Sequence, residues 1–409
     1  MILKKNRVIN FLIFIGVFLN IFFWDLKGVY ISQINEVSNF LLSSLRFALI
    51  LPLLLILQKI TKKEIISAVL LFLILVFHYI IIYLLHDVKL EFINIIYCFV
   101  VSLLFLTVVK FKKLIFFYIK KSYLYFFFIF LTVILINYLF YADATFQNWQ
   151  ACSIFNIKTF FFKEPSHFAY LAVSILLYFL LTSRAKFFLF FLLILVNLST
   201  TLIISLLLNL LVFFRKLIRF KYILLFIIVF ISLVFFYKKE CNERLIGLYQ
   251  EISNLSNFVS DKYSLGENNN LTSLVYKNNL LISLESIKNN IFGWGFNNYS
   301  KAFFYFSGSN LEELIKYYDT PLEYKILNYN DGRSNFFKIT VEFGVFVFIF
   351  IYFILSFFFS KNISLEKKII FLPPIITQLL SGSGYFNGGF ILFVFLIYQE
   401  LFVVKKRNV

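Results

Sequence analysis

Apolar runs of about 20 residues recur along this chain almost from end to end, and each has the length that one α-helix needs to cross a bilayer. That repetition constrains the fold more than any motif does. Backbone N–H and C=O groups surrounded by hydrocarbon must be bonded within the chain, so the runs are either helices or strands of a closed barrel. Sixty Phe and 25 Tyr against only 13 Gly, without dyad alternation, select helices. A hydrophobic share of 61% and a mean hydropathy of +0.86 exclude an ordinary soluble domain. The expected fold is an all-α polytopic membrane protein, with residues 1–409 forming a single integral membrane domain.

Twelve spanning helices are expected, at about 8–24, 40–58, 65–85, 92–109, 122–141, 167–182, 186–198, 200–214, 222–237, 336–359, 369–381 and 388–404. The charges between them decide the orientation. With a cytoplasmic N-terminus, the inside segments are Met1–Arg7, Gln58–Glu64, Lys110–Lys121, Ser183–Lys186, Arg215–Lys221, Lys361–Lys368 and Lys405–Val409. They carry 23 Lys and Arg, whereas the short outside loops carry only Lys27, Lys89, Lys158 and Lys163. This positive-inside asymmetry places both termini in the cytoplasm. It also accounts for the net charge of +18 without nucleic acid as a partner. The run 186–214 reads as a tight hairpin, because only a hairpin keeps both flanking basic clusters inside. The basic start resembles a signal peptide, but without a small-x-small cleavage site it reads as an uncleaved first helix.

Two outside loops follow from this topology, 142–166 and the much longer Lys238–Asn335. The long loop holds 11 of the 21 acidic residues and is bracketed by Arg244 and Arg333. Within it, Leu280, Leu284, Ile287 and Ile291 recur at helical spacing and predict an amphipathic helix that stops at Gly293-Trp294-Gly295. That corner, followed by Phe296-Asn297-Asn298-Tyr299, reads either as a glycine cap with a packed Trp294 or as a sugar-contacting corner, in which an aromatic face stacks and Asn297 hydrogen-bonds. Arg333 precedes Ser334-Asn335 and suits a bidentate grip on phosphate oxygens; an interfacial pairing is the plainer alternative. Arg46, near the outer end of its helix, is a third phosphate ligand or a snorkelling side chain.

In the shorter loop, Pro165 disfavours helix at Glu164, and Ser166 is placed to cap a helix beginning at His167. Glu164 and His167 are thereby held at the outer mouth of the bundle, beside a helix N-terminus. The last outside turn, SGSGYFNGGF at 381–390, permits close approach of two helices. Cys98 lies in a helix, while Cys152 and Cys241 share the outer side; three cysteines make no disulfide framework, and free thiols are the simpler reading. No nucleotide loop or zinc-spaced cluster is present, so no metal and no cofactor are expected.

EPSHFA opening a mid-chain helix, a long outside loop, a GWG corner, then RSN, EFG and GYFNGG fall in one order between Phe161 and Tyr398. This pattern resembles the O-antigen polymerase (Wzy) family, within the wider group that includes O-antigen ligases. The resemblance implies a GT-C-like, inverting, metal-independent glycosyltransferase at the outer face of the bacterial inner membrane. Its donor would be an undecaprenyl-diphosphate-linked oligosaccharide, its surroundings membrane lipids, and its partner a chain-length regulator protein. It further implies that Arg244 and Arg333 are the loop arginines such enzymes need, Arg333 with a catalytic role, and that Glu164 or His167 is the base or an acceptor-orienting group. Arg46, Trp294, Asn297 and Asn335 are read beside them as diphosphate or glycan contacts. Ligase relatives carry a His beside the Asn before the closing helix, where this chain has Arg333-Ser334-Asn335. That departure favours polymerase over ligase. A lipid-linked oligosaccharide flippase is the alternative from another class, disfavoured by the long outside loop.

Overall fold

The structure is a computed structural model that describes residues 2–22, 50–86, 92–140, 165–195, 200–214, 271–306, 332–382 and 384–407. Every regular element among them is helical. In chain order the α-helices are α1 (Ile2–Phe22), α2 (Lys62–His86), α3 (Phe92–Phe140), α4 (Pro165–Thr182), α5 (Arg184–Leu195), α6 (Thr200–Phe214), α7 (Leu271–Asn289), α8 (Tyr299–Phe306), α9 (Asn335–Phe343), α10 (Val347–Phe359), α11 (Leu365–Leu380) and α12 (Phe390–Arg407). Three segments, Lys62–Leu85, Phe92–Thr132 and Asn335–Phe359, are long and apolar enough to cross a membrane, and shorter apolar helices accompany them. Over the described residues the chain is all-helical, and its apolar helices mark a membrane-embedded protein. Of the expected helices, 222–237 lies outside the described residues. So does most of 40–58, whose described end is a 3-10 turn over Pro52–Leu57.

The largest departure from expectation is α3. The stretches 92–109 and 122–141, expected as two helices joined by the basic loop Lys110–Lys121, are one helix of 49 residues. The physical reason lies in the residues. No Gly or Pro occurs between Phe92 and Phe140, so the five lysines interrupt the hydropathy without interrupting the backbone bonds. Three of the lysines are also partnered: Lys110 meets Glu64 at 3.4 Å, Lys112 meets Glu400 at 3.0 Å, and Lys120 meets Glu366 at 3.2 Å. Lys367 adds a second cation to Glu400 at 2.8 Å. One charged layer thus joins α2, α3, α11 and α12.

Two further boundaries moved. α4 begins at Pro165 rather than His167, since proline fits the first helical position, where no N–H is needed. Ser166 is therefore inside the first turn instead of capping it. The expected helix 336–359 is broken at Gly344, whose φ of +55° ends α9 and opens a 3-10 turn before α10. The run 186–214 forms two helices, α5 and α6.

In lipid, removal from water does not drive helices together, so packing contacts and polar bonds carry the association. Phe22, Phe126, Phe130 and Phe168 form a stacked column between α1, α3 and α4, with centroids 4.5–5.7 Å apart. A polar knot lies beside it. Pro373 and Pro374 inside α11 cannot donate to the carbonyls of Ile369 and Ile370 four residues earlier. Those two carbonyls instead accept from Ser174 Oγ, at 3.1 and 3.2 Å, and Ile370 also from the Tyr123 hydroxyl at 3.3 Å. Buried hydroxyls of α3 and α4 thus meet the acceptors that the prolines leave open.

Candidate functional site

At the ends of α2, α3, α11 and α12 away from the charged layer, a polar corner is built from segments far apart in sequence. From Glu64 to Tyr79 along α2, or Lys110 back to Asn94 along α3, the separation is roughly 22–24 Å of helix, a membrane-scale distance. The corner's frame is main chain against main chain. Trp294 N–H donates to Val341 O and Gly295 N–H to Glu342 O, both at 2.9 Å, while Val345 N–H donates to Ile291 O at 2.9 Å. A Cβ on Gly344 would lie 1.9 Å from Ile291 O, and one on Gly293 would lie 2.5 Å from the Glu342 carbonyl. Both glycines also hold positive φ, so the close approach and the backbone conformation each require them.

Into this frame α9 projects Glu342, which is fully buried. Its Oε1 accepts from Tyr299 N–H at 3.3 Å and faces Lys338 Nζ at 3.5 Å. Its Oε2 accepts from Asn297 N–H at 2.9 Å and from the Tyr385 hydroxyl at 2.7 Å. A carboxylate has about four lone-pair sites, and all four are engaged. Glu342 therefore orients the GWGFNN corner, α9 and the 381–390 turn around itself rather than standing ready to take a proton. Burial, together with the adjoining carboxylate, pushes the Tyr385 hydroxyl well above its ordinary value, which keeps it a donor. Lys338 is 5% exposed and lies over the Tyr385 ring at 5.3 Å.

Amides extend the network. Asn297, at φ +62°, donates from Nδ2 to Asn94 Oδ1 at 3.1 Å, and Asn94 donates to Asn298 Oδ1 at 3.0 Å and to the Tyr79 oxygen at 3.1 Å. Asn335 is fully buried; its Oδ1 accepts from Gly384 N–H at 3.0 Å, and Gln378 donates to Gly388 O at 3.0 Å. Ser334 caps α9 through Phe336 N–H and Phe337 N–H, and its hydroxyl donates to Leu379 O. His78 stacks on Phe343 and binds Phe292 O at 3.0 Å; a carbonyl only accepts, so Nε2 carries the proton.

Arg333 lies half-buried at the rim, at φ +62°, with its carbonyl accepting from Gly382 N–H at 3.2 Å. Its guanidinium opposes the upward shift that burial imposes on the Tyr276 hydroxyl of α7, which puts the two side chains in electrostatic reach.

Arg333, Asn335, Asn297 and Trp294 therefore meet in one corner. Trp294 is 8% exposed, with its ring packed against Tyr305 and Phe306 at 5.2 and 5.5 Å, the packed arrangement of the two readings. His167 falls in the first turn of α4, where only its backbone is described; α4 touches the 387–389 turn, so this end points toward the corner. Glu164, Arg244 and Arg46 lie outside the described residues, as do Cys152 and Cys241.

The amphipathic helix is present as α7, but its expected apolar stripe is not the buried face: Leu280 and Ile287 are half-buried, and Ile291 lies past the helix end. Leu284 and Ile291 are 56% and 60% exposed, whereas Asn278, Asn279, Ser283, Ser286 and Asn290 are buried. The inward face is mixed, with Val275 and Ile282 buried beside these polar residues, and it is tied to the corner where the Tyr299 hydroxyl donates to Asn279 Oδ1. Glu342, Lys338, Tyr385, Asn94 and Tyr79 are the site members that sequence reasoning did not assign. Glu342 was visible within EFG and Tyr385 within GYFNGG; Asn94 and Tyr79 carry no local signal, since Asn94 finds its partner 204 residues away.

Comparison of the chain with protein-family models, with curated proteins and with solved structures gives no match.

Proposed function

We propose that this chain is a surface-polysaccharide polymerase of the O-antigen kind. In this reading, it transfers a growing glycan from undecaprenyl diphosphate onto a lipid-linked repeat unit at the periplasmic face of the inner membrane. The observation that carries the reading is the convergence of three motif segments, GWGFNN, RSN with EFG, and GYFNGG, on one hydrogen-bonded corner around Glu342. They are spread over about 100 residues of sequence, and nothing in hydropathy requires them to meet. The fold we assign is GT-C-like with twelve spans, the stretches of α3 on either side of its lysines counting as two of them, a periplasmic loop at 238–335 and cytoplasmic termini. In its support, Lys110, Lys112, Lys120 and Lys367, from segments read as inside, gather in one layer opposite the corner.

In the reaction, an acceptor hydroxyl attacks the donor's anomeric carbon from the face opposite the diphosphate. The C–O bond to the lipid diphosphate breaks, its electron pair leaves with the diphosphate, and the anomeric configuration inverts. Outside the cytoplasm there is no sugar nucleotide, so the lipid diphosphate itself supplies the driving force. Arg333 at the rim, with Arg244, stabilises the charge that grows on the departing oxygens. Glu164 or His167 takes the proton from the acceptor hydroxyl. The amides of Asn297 and Asn335, ordered by Glu342 and Gly384, hold the rim in shape for the glycan.

Deleting the protein should leave lipopolysaccharide with a single O-unit on its core. A normal ladder in the deletion strain would sink the proposal. A bare core with accumulated lipid-linked polymer would instead mark a ligase.

A further inference from the structure

A second site lies at the other end of the bundle. Between α3, α4 and α5 a crevice of about 300 Å³ opens beside the charged layer. Lys120, Lys121 and Lys186 line it together with Thr182 and Ser183, and its apolar wall includes Phe117, Leu124 and Phe179. The charges around it do not cancel. Among the described residues, Glu64, Glu366 and Glu400 are each paired with a lysine, and of the crevice's three cations only Lys120 shares one of them. Lys121 instead lies over the rings of Phe117 and Tyr118, at 4.8 and 5.9 Å. Ser183 Oγ accepts from Lys186 N–H at 3.5 Å, which leaves its own proton to donate.

We infer that this crevice binds the phosphate of an anionic phospholipid headgroup. Ammonium groups and a hydroxyl supply the donors that phosphate oxygens need, and the aromatic wall suits the first carbons of an acyl chain. The combination fits a lipid better than a free anion, because a free phosphate gains nothing from Phe117, Leu124 and Phe179. The site lies at the end of α4 opposite the polar corner, and the inference does not depend on the polymerase reading.

The test is native mass spectrometry of the purified protein titrated with phosphatidylglycerol or with phosphatidylcholine of the same acyl chains. The wild type should retain phosphatidylglycerol over phosphatidylcholine. Lys121→Gln and Lys186→Gln should each lower that retention by about fivefold, the factor for a lysine at an anionic lipid surface. Lys62→Gln/Lys63→Gln, which removes two charges elsewhere near the charged layer, should leave it unchanged. Equal retention of the two lipids by the wild type overturns the inference, as does an equal loss in the Lys62/Lys63 control. In a parallel thermal-shift arm, stabilisation by inorganic phosphate as large as that by phosphatidylglycerol would make the occupant a soluble anion and overturn the lipid assignment.

Discussion

Glu342 and Lys338 form an ion pair in a place where neither has water to fall back on, 0% and 6% exposed at the side chain. Such a pair adds little beyond a well-packed apolar replacement, but removing one member leaves the other buried without its counter-charge, at a cost of about 3–5 kcal/mol. Glu342→Gln should therefore lower the unfolding temperature in detergent sharply, and Lys338→Met on top of it should recover much of the loss. If the double variant is no better than the single one, the carboxylate's backbone bonds to Asn297 and Tyr299 matter more than its charge partner. The glycines allow a second test at this scale. Gly344→Ala meets both a 1.9 Å clash and a φ of +55°, so little folded protein should accumulate. Gly384→Ala, at φ +101° with nothing within 4 Å of the added carbon, faces only the backbone term of about 1–2 kcal/mol. Arg333 is different in kind, since it stands at the rim. Arg333→Ala should abolish polymer on a lipopolysaccharide gel while the protein remains in the membrane at normal level; a full ladder would reduce the arginine to a structural role.

Among the elements, α11 shows how a helix keeps two adjacent prolines in a buried position. Its freed carbonyls are served from outside, by Ser174 and Tyr123. Ser174→Ala should cost about 1–3 kcal/mol, the penalty for stranding a buried acceptor. In a Pro373→Ala/Pro374→Ala background, where α11 can bond its own carbonyls, the same substitution should become nearly neutral. Equal costs in both backgrounds would show that the hydroxyl does something else. Element boundaries were legible where punctuation agrees with hydropathy: α2 and α12 fall within a few residues of expectation. They failed at α3, because lysines mark a change of solvent but do not stop a helix, and at Gly344, where one glycine broke a continuous apolar run. The stripe of α7 failed for another reason. Periodicity finds an apolar stripe, but the buried face of this helix is a mixed one, set by Val275 and Ile282 together with the Asn279 bond to Tyr299.

Over the whole molecule, α2, α3, α11 and α12 join the corner's end of the bundle to the charged layer, and this common direction can be checked. In a cysteine-free background, Phe292→Cys should react with a membrane-impermeant maleimide from the periplasmic side. Lys113→Cys should react only after the inner membrane is opened. The reverse pattern would turn the molecule over. The candidate site was half legible. Arg333, Asn297 and Asn335 announced themselves because each stands in a short polar motif between apolar runs. Asn94, Tyr79 and Lys338 did not, because a polar residue inside an apolar segment reads as noise until the fold supplies its partner, which for Asn94 stands about 200 residues away. The frame of the corner has one more consequence. Its three inter-segment bonds join main chain to main chain and so place no demand on side-chain identity at Ile291, Val341 or Val345. Gly293, Gly295, Gly344 and Glu342 are held to their residue types there, and much of the rest of both segments can drift. A protein assembled this way can change most of its letters and keep its shape, so kinship in such chains is written in a few spaced residues rather than in overall identity.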